Sequence, residues 1–314
     1  MRLVDLIFGL VPGKRALVDF GATLPIRYRT RLGMRIFGKL GSLLEKREPE
    51  RVVCSNLGIA DTLRVRMPIR SQACYLYGLP AHYVGERSVL FLAEQLSRHV
   101  DAIADIGANW GFHTYFLAQY GSGLPIYSFE PNERLFKNTV QAIQDNRFTQ
   151  VHCFNEAIAD KTGQIEFYLN KSDDSSSSLS NYFSDHGHVV EKITMQARSF
   201  DDLVRHQKHP RWLAKVDIES AEFSFLAGAM ESIKNGAMRF LIIELLEDAR
   251  KHHFVDQMIA LGLNAYYLRD MQIEHVTRED GRYQASEYNW LFCKDSPEQL
   301  RVLIQGSAFQ VLAS

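Results

Sequence analysis

From about residue 98 onward, short apolar runs alternate with helix-like stretches, and few folds accept that alternation. The candidate strands are Ala102–Ile106, Ile126–Glu130, Val151–Asn155, Leu213–Ile218 and Phe240–Leu245. Between them lie the candidate helices Gly111–Tyr120, Glu133–Asn146, Ala221–Lys234 and Ala249–Leu261. A run such as Phe240-Leu241-Ile242-Ile243 is apolar at every position, as a strand covered by helices on each side must be. The pattern predicts a mostly parallel α/β sheet, Rossmann-like, with helices on both faces. Its ending departs from the alternation. Asn264–Arg269 and Tyr288–Lys294 read as two strands joined by a polar stretch without a helix, so they are expected to pair as an antiparallel hairpin.

The stretch before the sheet has another character. Alternating segments at Arg51–Cys54, Leu63–Ile69 and Ala73–Tyr77 suggest a small β element, and residues 1–46 look helical. Within residues 1–47, ten Lys and Arg stand against Asp5, Asp19 and Glu45, whereas the whole chain has a formal net charge of −1. The reading is therefore a basic helical segment plus small β element over 1–87, followed by one α/β domain over 88–314. The near-neutral total argues against a polyanionic partner such as nucleic acid. The basic segment packs on the domain or lies peripherally on an anionic membrane surface. No apolar run reaches the length that spans a bilayer. Cys54, Cys74, Cys153 and Cys293 are widely spaced, which fits reduced thiols in a cytoplasmic protein. Asp173–Ser180 is a serine-rich acidic stretch, read as a solvated connection or as a lid.

The loop after the first strand of the domain carries the chemistry. Asp105-Ile106-Gly107-Ala108-Asn109-Trp110-Gly111 leaves an apolar strand and opens a helix. Gly107 permits a tight turn and close approach of backbone to a ligand, and Gly111 lets the helix start near the strand. The G-x-x-x-G spacing lacks the glycines of a pyrophosphate cradle, which disfavours a dinucleotide. A ligand with a charged amino-acid end suits the loop better, with Asp105 accepting from its ammonium directly or through water. Glu130 ends the next strand, where an acidic residue can accept from two ribose hydroxyls. Pro131 then ends that strand, and Asn132 caps the following helix.

These residues resemble a known family. Asp105-Ile-Gly-Ala-Asn-x-Gly111, Phe129-Glu-Pro-Asn132 and Lys215-Val-Asp-Ile-Glu219 with Ala221-Glu222 occur in the order found in FkbM methyltransferases. Ile243-Glu244 and Leu76-Tyr77-Gly78 are consistent with the same resemblance. It implies a class I methyltransferase fold, with a mostly parallel seven-stranded sheet closed by an antiparallel hairpin. It also implies S-adenosylmethionine as donor and oxygen acceptors such as sugar or metabolite hydroxyls. One position departs: Ser220 stands where the family's acidic motif usually has glycine. If that position requires positive φ, serine carries a conformational cost there.

In open α/β sheets the ligand lies beyond the carboxyl ends of the strands. The resemblance and this rule together give the cofactor-binding set Asp105, Gly107, Ala108, Asn109, Gly111, Glu130, Pro131, Glu156, Ala157 and Asp217. Glu156 is expected to accept from the adenine amino group, with Ala157 and Ile158 as apolar walls. Asp217 and Glu219 are the first candidates for orienting the acceptor or acting as general base, followed by Glu222, Glu244 and His113. A buried structural role is the alternative for His113. Asp217, Glu219 and Glu244 have the oxygen chemistry of a divalent-cation site, but strand-end carboxylates more often serve as acceptors or bases, so no metal is assigned. His252-His253 and His186-x-His188 read as exposed polar residues. Tyr75, Tyr77 and Tyr83 form a sugar platform or pack in a core.

The expected activity is O-methylation of a sugar hydroxyl on a glycan or secondary metabolite. The rival readings are a weakly active or inactive cofactor-binding scaffold in glycan assembly, suggested by Ser220, and a nicotinamide dehydrogenase, disfavoured by the glycine spacing and the ending. A nucleic-acid methyltransferase is disfavoured as well, because no N/D-P-P-Y/F-type motif occurs.

Overall fold

The computed structural model describes residues 52–56, 64–68, 84–170, 179, 190–245, 249–269, 271–277 and 288–312. The chain divides into two compact units, Met1–Val84 with Gln144–Arg147, and Gly85–Ile143 with Phe148–Ser314. In the first unit, β1 (Val52–Asn56) pairs antiparallel with β2 (Arg64–Pro68), two of the three strands expected there. The third, Ala73–Tyr77, lies outside the described residues, as do the expected helices of 1–46, the basic segment 1–47, Tyr75, Tyr77 and Tyr83.

The second unit holds the sheet. Helix α1 (Val84–Ser97) leads into β3 (Ala102–Ile106), α2 (Phe112–Tyr120), β4 (Ile126–Phe129), α3 (Glu133–Asn146) and β5 (Val151–Phe154). A small insertion follows, with β6 (Ala157–Ile158), β7 (Gly163–Asn170) and β8 (Val190–Arg198). The chain then returns through α4 (Phe200–Gln207), β9 (Trp212–Val216), α5 (Glu222–Gly228), α6 (Met230–Asn235), β10 (Met238–Glu244) and α7 (Ala249–Ala260). It finishes with β11 (Asn264–Arg269), β12 (Gln272–Val276), β13 (Asn289–Cys293), α8 (Pro297–Leu303) and β14 (Gln310–Leu312).

The main sheet runs β14-β12-β11-β13-β10-β9-β3-β4-β5. Strands β5, β4, β3, β9 and β10 are mutually parallel neighbours, and β13 lies antiparallel between β10 and β11. The expected pairing of Asn264–Arg269 with 288–294 is present, Asn264 facing Cys293. The chain-adjacent hairpin, however, is β11–β12, and β13 slots between two strands made earlier. Beyond the expected seven strands, β12 and β14 extend one edge. The sequence reading missed them because β12 lies in the polar stretch taken as a connection between the two expected strands, and β14 has only three residues.

Alternation along the strands feeds two cores. Ala102, Ala104 and Ile106 pack on one face with Phe200, Leu203, Phe225 and Phe254 of α4, α5 and α7. Ile103, Leu213 and Ile242 pack on the other with Leu92, Leu96 and Leu117 of α1 and α2. Helices therefore cover both faces, which is why the strands are apolar throughout. Because β3 hands the chain to β4 on one side while β9 flanks it on the other, the sheet's switch point lies between Ile106 and Val216. A second, three-stranded sheet, β6-β8-β7, stands after the carboxyl end of β5.

Candidate active site

The loop leaving β3 is pinned on both sides by backbone. The N–H groups of Gly107 and Ala108 donate to the Phe129 carbonyl at 3.1 and 3.0 Å, and the Asp217 N–H donates to the Ile106 carbonyl at 3.0 Å. Gly107 has φ +77, and a Cβ there would stand 1.8 Å from the Asp217 carbonyl oxygen. Only glycine allows the two strand ends to approach so closely. Gly111 also has φ +77, and its missing Cβ makes room for the Tyr115 ring.

A cleft opens where these ends meet. Gly107 and Asn109 line it from β3, Glu130 and Pro131 from β4, Glu156 and Ala157 from β5–β6, and Asp217 and Glu219 from β9. Ile106, Phe129, Ile158, Phe167, Leu179 and Ile218 supply its apolar wall. Four loops far apart in the sequence thus bring carboxylates and apolar surface to one place.

Glu130 is the most constrained of these acids. Its Oε2 accepts from the Asn109 N–H at 2.6 Å and its Oε1 from the Asn132 N–H at 2.8 Å. Burial nevertheless dominates and pushes the carboxyl up to about 7. Asn155 Nδ2 braces the same turn by donating to the carbonyls of Glu130 and Pro131 at 2.9 and 2.8 Å. Glu156 is held by Arg198 of β8, with Nε donating to Oε2 at 2.9 Å and the second bond at 3.1 Å. The small sheet thereby fixes a carboxylate on the cleft wall.

Behind the wall lies a charged cluster. Asp105 faces Lys215 across the β3–β9 register and is fully buried. Its Oδ2 accepts from the Thr114 hydroxyl at 2.6 Å, while Oδ1 has no hydrogen-bond partner. Burial raises its carboxyl above the ordinary range, against the pull of Lys215 and Thr114. Lys215 Nζ also donates to Asp217 Oδ2 at 3.2 Å, at the cleft. His113 is buried nearby, and burial together with Lys215 holds its pKa well below the usual value. It is a neutral core histidine.

The acidic loop after β9 carries two successive left-handed residues, Glu219 at φ +51 and Ser220 at φ +74. The position of the unusual serine does require positive φ, so its conformational cost is present. Glu222 closes this turn, its Oε1 accepting from the Ser220 N–H at 2.9 Å.

Placement sorts the expected residues. Gly107, Asn109, Glu130, Pro131, Glu156, Ala157, Asp217 and Glu219 share the cleft. Asp105, Ala108 and Gly111 stand behind it, Asp105 because its carboxyl is turned into the α2 packing, so direct contact with a ligand ammonium does not follow. His113 and Glu222 are likewise buried, Glu222 because it serves the backbone turn. Glu244 ends β10 opposite Asn289, outside the cleft lining. Lys215 and Arg198 were not singled out by sequence. A lysine inside an otherwise apolar strand is a legible signal for a buried partner, whereas Arg198 depends on how β8 folds back. His252 and His253 are exposed as expected, and His186, His188 and Asp173–Ser180, apart from Leu179, lie outside the described residues. Among the described residues, no group of three or more His, Cys, Asp or Glu is gathered to hold a metal ion.

Residues 105–268 match the model of the methyltransferase FkbM domain. No curated protein matches the chain. Solved structures similar to it include an rRNA methylase from Streptococcus thermophilus, with 14% identity, a TM-score of 0.38, and coverage of 66% of this chain and 94% of that one. A precorrin-6y C5,15-methyltransferase from Geobacter metallireducens has 10% identity and a TM-score of 0.38, covering 67% and 89%. An O-methyltransferase from Bacillus cereus in complex with SAH has 12% identity and a TM-score of 0.39, covering 71% and 86%. The family rests on the sequence match alone.

Proposed function

The chain belongs to the FkbM methyltransferase family and uses S-adenosylmethionine, and on that premise we propose that it methylates a sugar hydroxyl of a glycan or secondary metabolite. The observation that carries the reading is the pairing of Asp217 and Glu219 on the rim of a cleft whose far wall is apolar. The described lining has carboxylates and no lysine or arginine, which favours a cationic cofactor and a neutral, hydroxyl-bearing acceptor over a polyanion.

The residues fit the cofactor. Ala157, Ile158, Phe167 and Leu179 offer an apolar slot for an adenine ring, and Glu156 an acceptor beside it. Glu130 retains acceptor capacity for ribose hydroxyls after its two backbone bonds. Asp217, part-exposed and anchored by Lys215, faces the cationic end. When bound, S-adenosylmethionine supplies a methyl group made electrophilic by its sulfonium. Asp217 or Glu219 orients the acceptor and takes its hydroxyl proton at a carboxylate oxygen. The Gly107–Asp217 contact fixes the distance between cofactor loop and base, the positioning on which an in-line displacement depends.

No helix among the described residues is long and apolar enough to cross a membrane. The reading places the protein in the cytoplasm, where the free thiols Cys153 and Cys293 stay reduced, with the basic residues 1–47 against an anionic inner membrane face. Flotation with anionic and neutral vesicles checks the membrane contact. The activity is tested by incubating the protein with methyl-labelled S-adenosylmethionine and a panel of glycans. Label in an alkali-stable sugar ether supports the reading. Cofactor binding without transfer across the panel favours the inactive scaffold instead.

A further inference from the structure

A second cleft, of about 480 Å³, opens beside the first. Asp160, Gln164 and Glu166 of the small-sheet insertion line one side, Ser220 and Phe223 at the start of α5 line the other, and Leu179 borders both clefts. Glu219 on the first cleft and Ser220 on the second are consecutive residues, so the two spaces meet at the acidic loop.

Ser220 bears two costs that nothing in the fold repays. Its φ of +74 is a conformation that glycine adopts freely and serine does not. Its Oγ is buried in the cleft wall without a hydrogen-bond partner. Glycine would remove both costs at once, and the turn itself is closed by the Ser220 N–H, which glycine also has. What only serine provides is the hydroxyl, on a residue that lines the cleft.

We propose that this second cleft seats the acceptor as a neutral pyranose ring, with the Ser220 hydroxyl hydrogen-bonded to a ring hydroxyl. The proposal rests on the reading of the protein as a sugar O-methyltransferase and says where that sugar lies. The wall has the mixed character of a sugar's surface. Gln164 and Asp160 offer amide and carboxylate groups to hydroxyls, and Phe223 and Leu179 offer apolar surface to ring C–H groups. Lys192 Nζ lies 2.6 Å from Glu166, and Lys161 lines the cleft beside Asp160, so the rim carries charges of both signs and does not favour a ligand of either one. A ring held there extends toward Asp217 and Glu219, where its proton would be taken. Ser220 is a specificity-determining residue in this arrangement.

The test uses the full chain saturated with S-adenosylhomocysteine and titrated with the methyl pyranosides of glucose, mannose and rhamnose. Binding is read by saturation-transfer NMR, and its place by hydrogen exchange. At least one pyranoside is expected to bind wild type and to slow exchange at 163–166 and 220–224. S220A and S220G should each weaken it about tenfold while S-adenosylhomocysteine affinity stays unchanged, and S220G should melt higher than wild type. Wild-type pyranoside affinity in S220G, or protection confined to other segments, overturns the seat and leaves the sugar reading standing. Failure of wild type to bind any pyranoside with S-adenosylhomocysteine in place removes the sugar reading and the seat together.

Discussion

The Glu130 carboxylate is tied to the Asn109 backbone N–H at 2.6 Å, so the acid that follows β4 also holds the loop that leaves β3. Asn109 itself sits at φ +52, a conformation that this bond helps to hold. The residue proposed to accept from the ribose therefore also shapes the loop proposed to hold the rest of the cofactor.

Because the Glu130 carboxyl titrates near 7, cofactor affinity is expected to depend on pH. If the ionised form binds, the dissociation constant for S-adenosylhomocysteine falls about tenfold between pH 6 and pH 8. Stability moves the opposite way. The folded value is raised above the ordinary carboxylate value, so Glu130's contribution is full below about 4.5 and is lost as pH rises through 7, by an order of 3 kcal/mol. Calorimetric titration at pH 6 and pH 8, and urea unfolding from about pH 4.5 to pH 8, on wild type and Glu130→Gln, check this. A variant with the same pH dependence as wild type removes Glu130 as its source.

Gly107→Ala meets both a left-handed φ and the Asp217 carbonyl, whereas Gly123→Ala meets only a left-handed φ, with nothing within 4 Å. The second change should cost about 1–2 kcal/mol. The first should cost several kcal/mol more or prevent folding. Equal melting temperatures for the two variants would show that β3 and β9 separate without penalty.

Asp217→Asn keeps the side chain's size and removes its basicity. Turnover should fall by about 10²-fold or more, with a smaller change in KM for S-adenosylmethionine. Steady-state kinetics on any acceptor found in the glycan panel decides it. An unchanged kcat assigns the proton to Glu219.

Lys215→Met leaves Asp105 buried without its facing cation. The expected loss is about 3 kcal/mol or more, growing as pH rises and the carboxyl is forced to ionise. Adding Asp105→Asn should recover part of it, as denaturant unfolding of both variants would show. No recovery in the double variant means the two side chains are not energetically coupled.

Much of this was legible in the sequence because it depends on local pattern. The central strands and α3 follow from runs such as Ala102–Ile106 and from the punctuation of Pro131 and Asn132. The cleft residues Gly107, Glu130 and Asp217 follow from strand-end position. What was illegible depends on side-chain direction or on distant segments. Strand ends carry side chains of both parities, so Asp105 and Asp217 look equivalent in sequence although one points into the α2 packing and the other into the cleft. Glu222 was a plausible base until its carboxylate proved to be closing a turn two residues away. The insertion β6–β8 escaped notice because β7 and β8 have half-exposed, mixed patterns and pair across residues 171–189.

The placement of β13 between β10 and β11 has a consequence for the order of folding. Both neighbours precede it in the chain, so the sheet's interior is completed by a segment that emerges only after both of its neighbours during synthesis. Until residues 289–293 arrive, two apolar strands display unpaired edges side by side. A nascent chain stalled before that point is the species most exposed to misassociation and to chaperone capture.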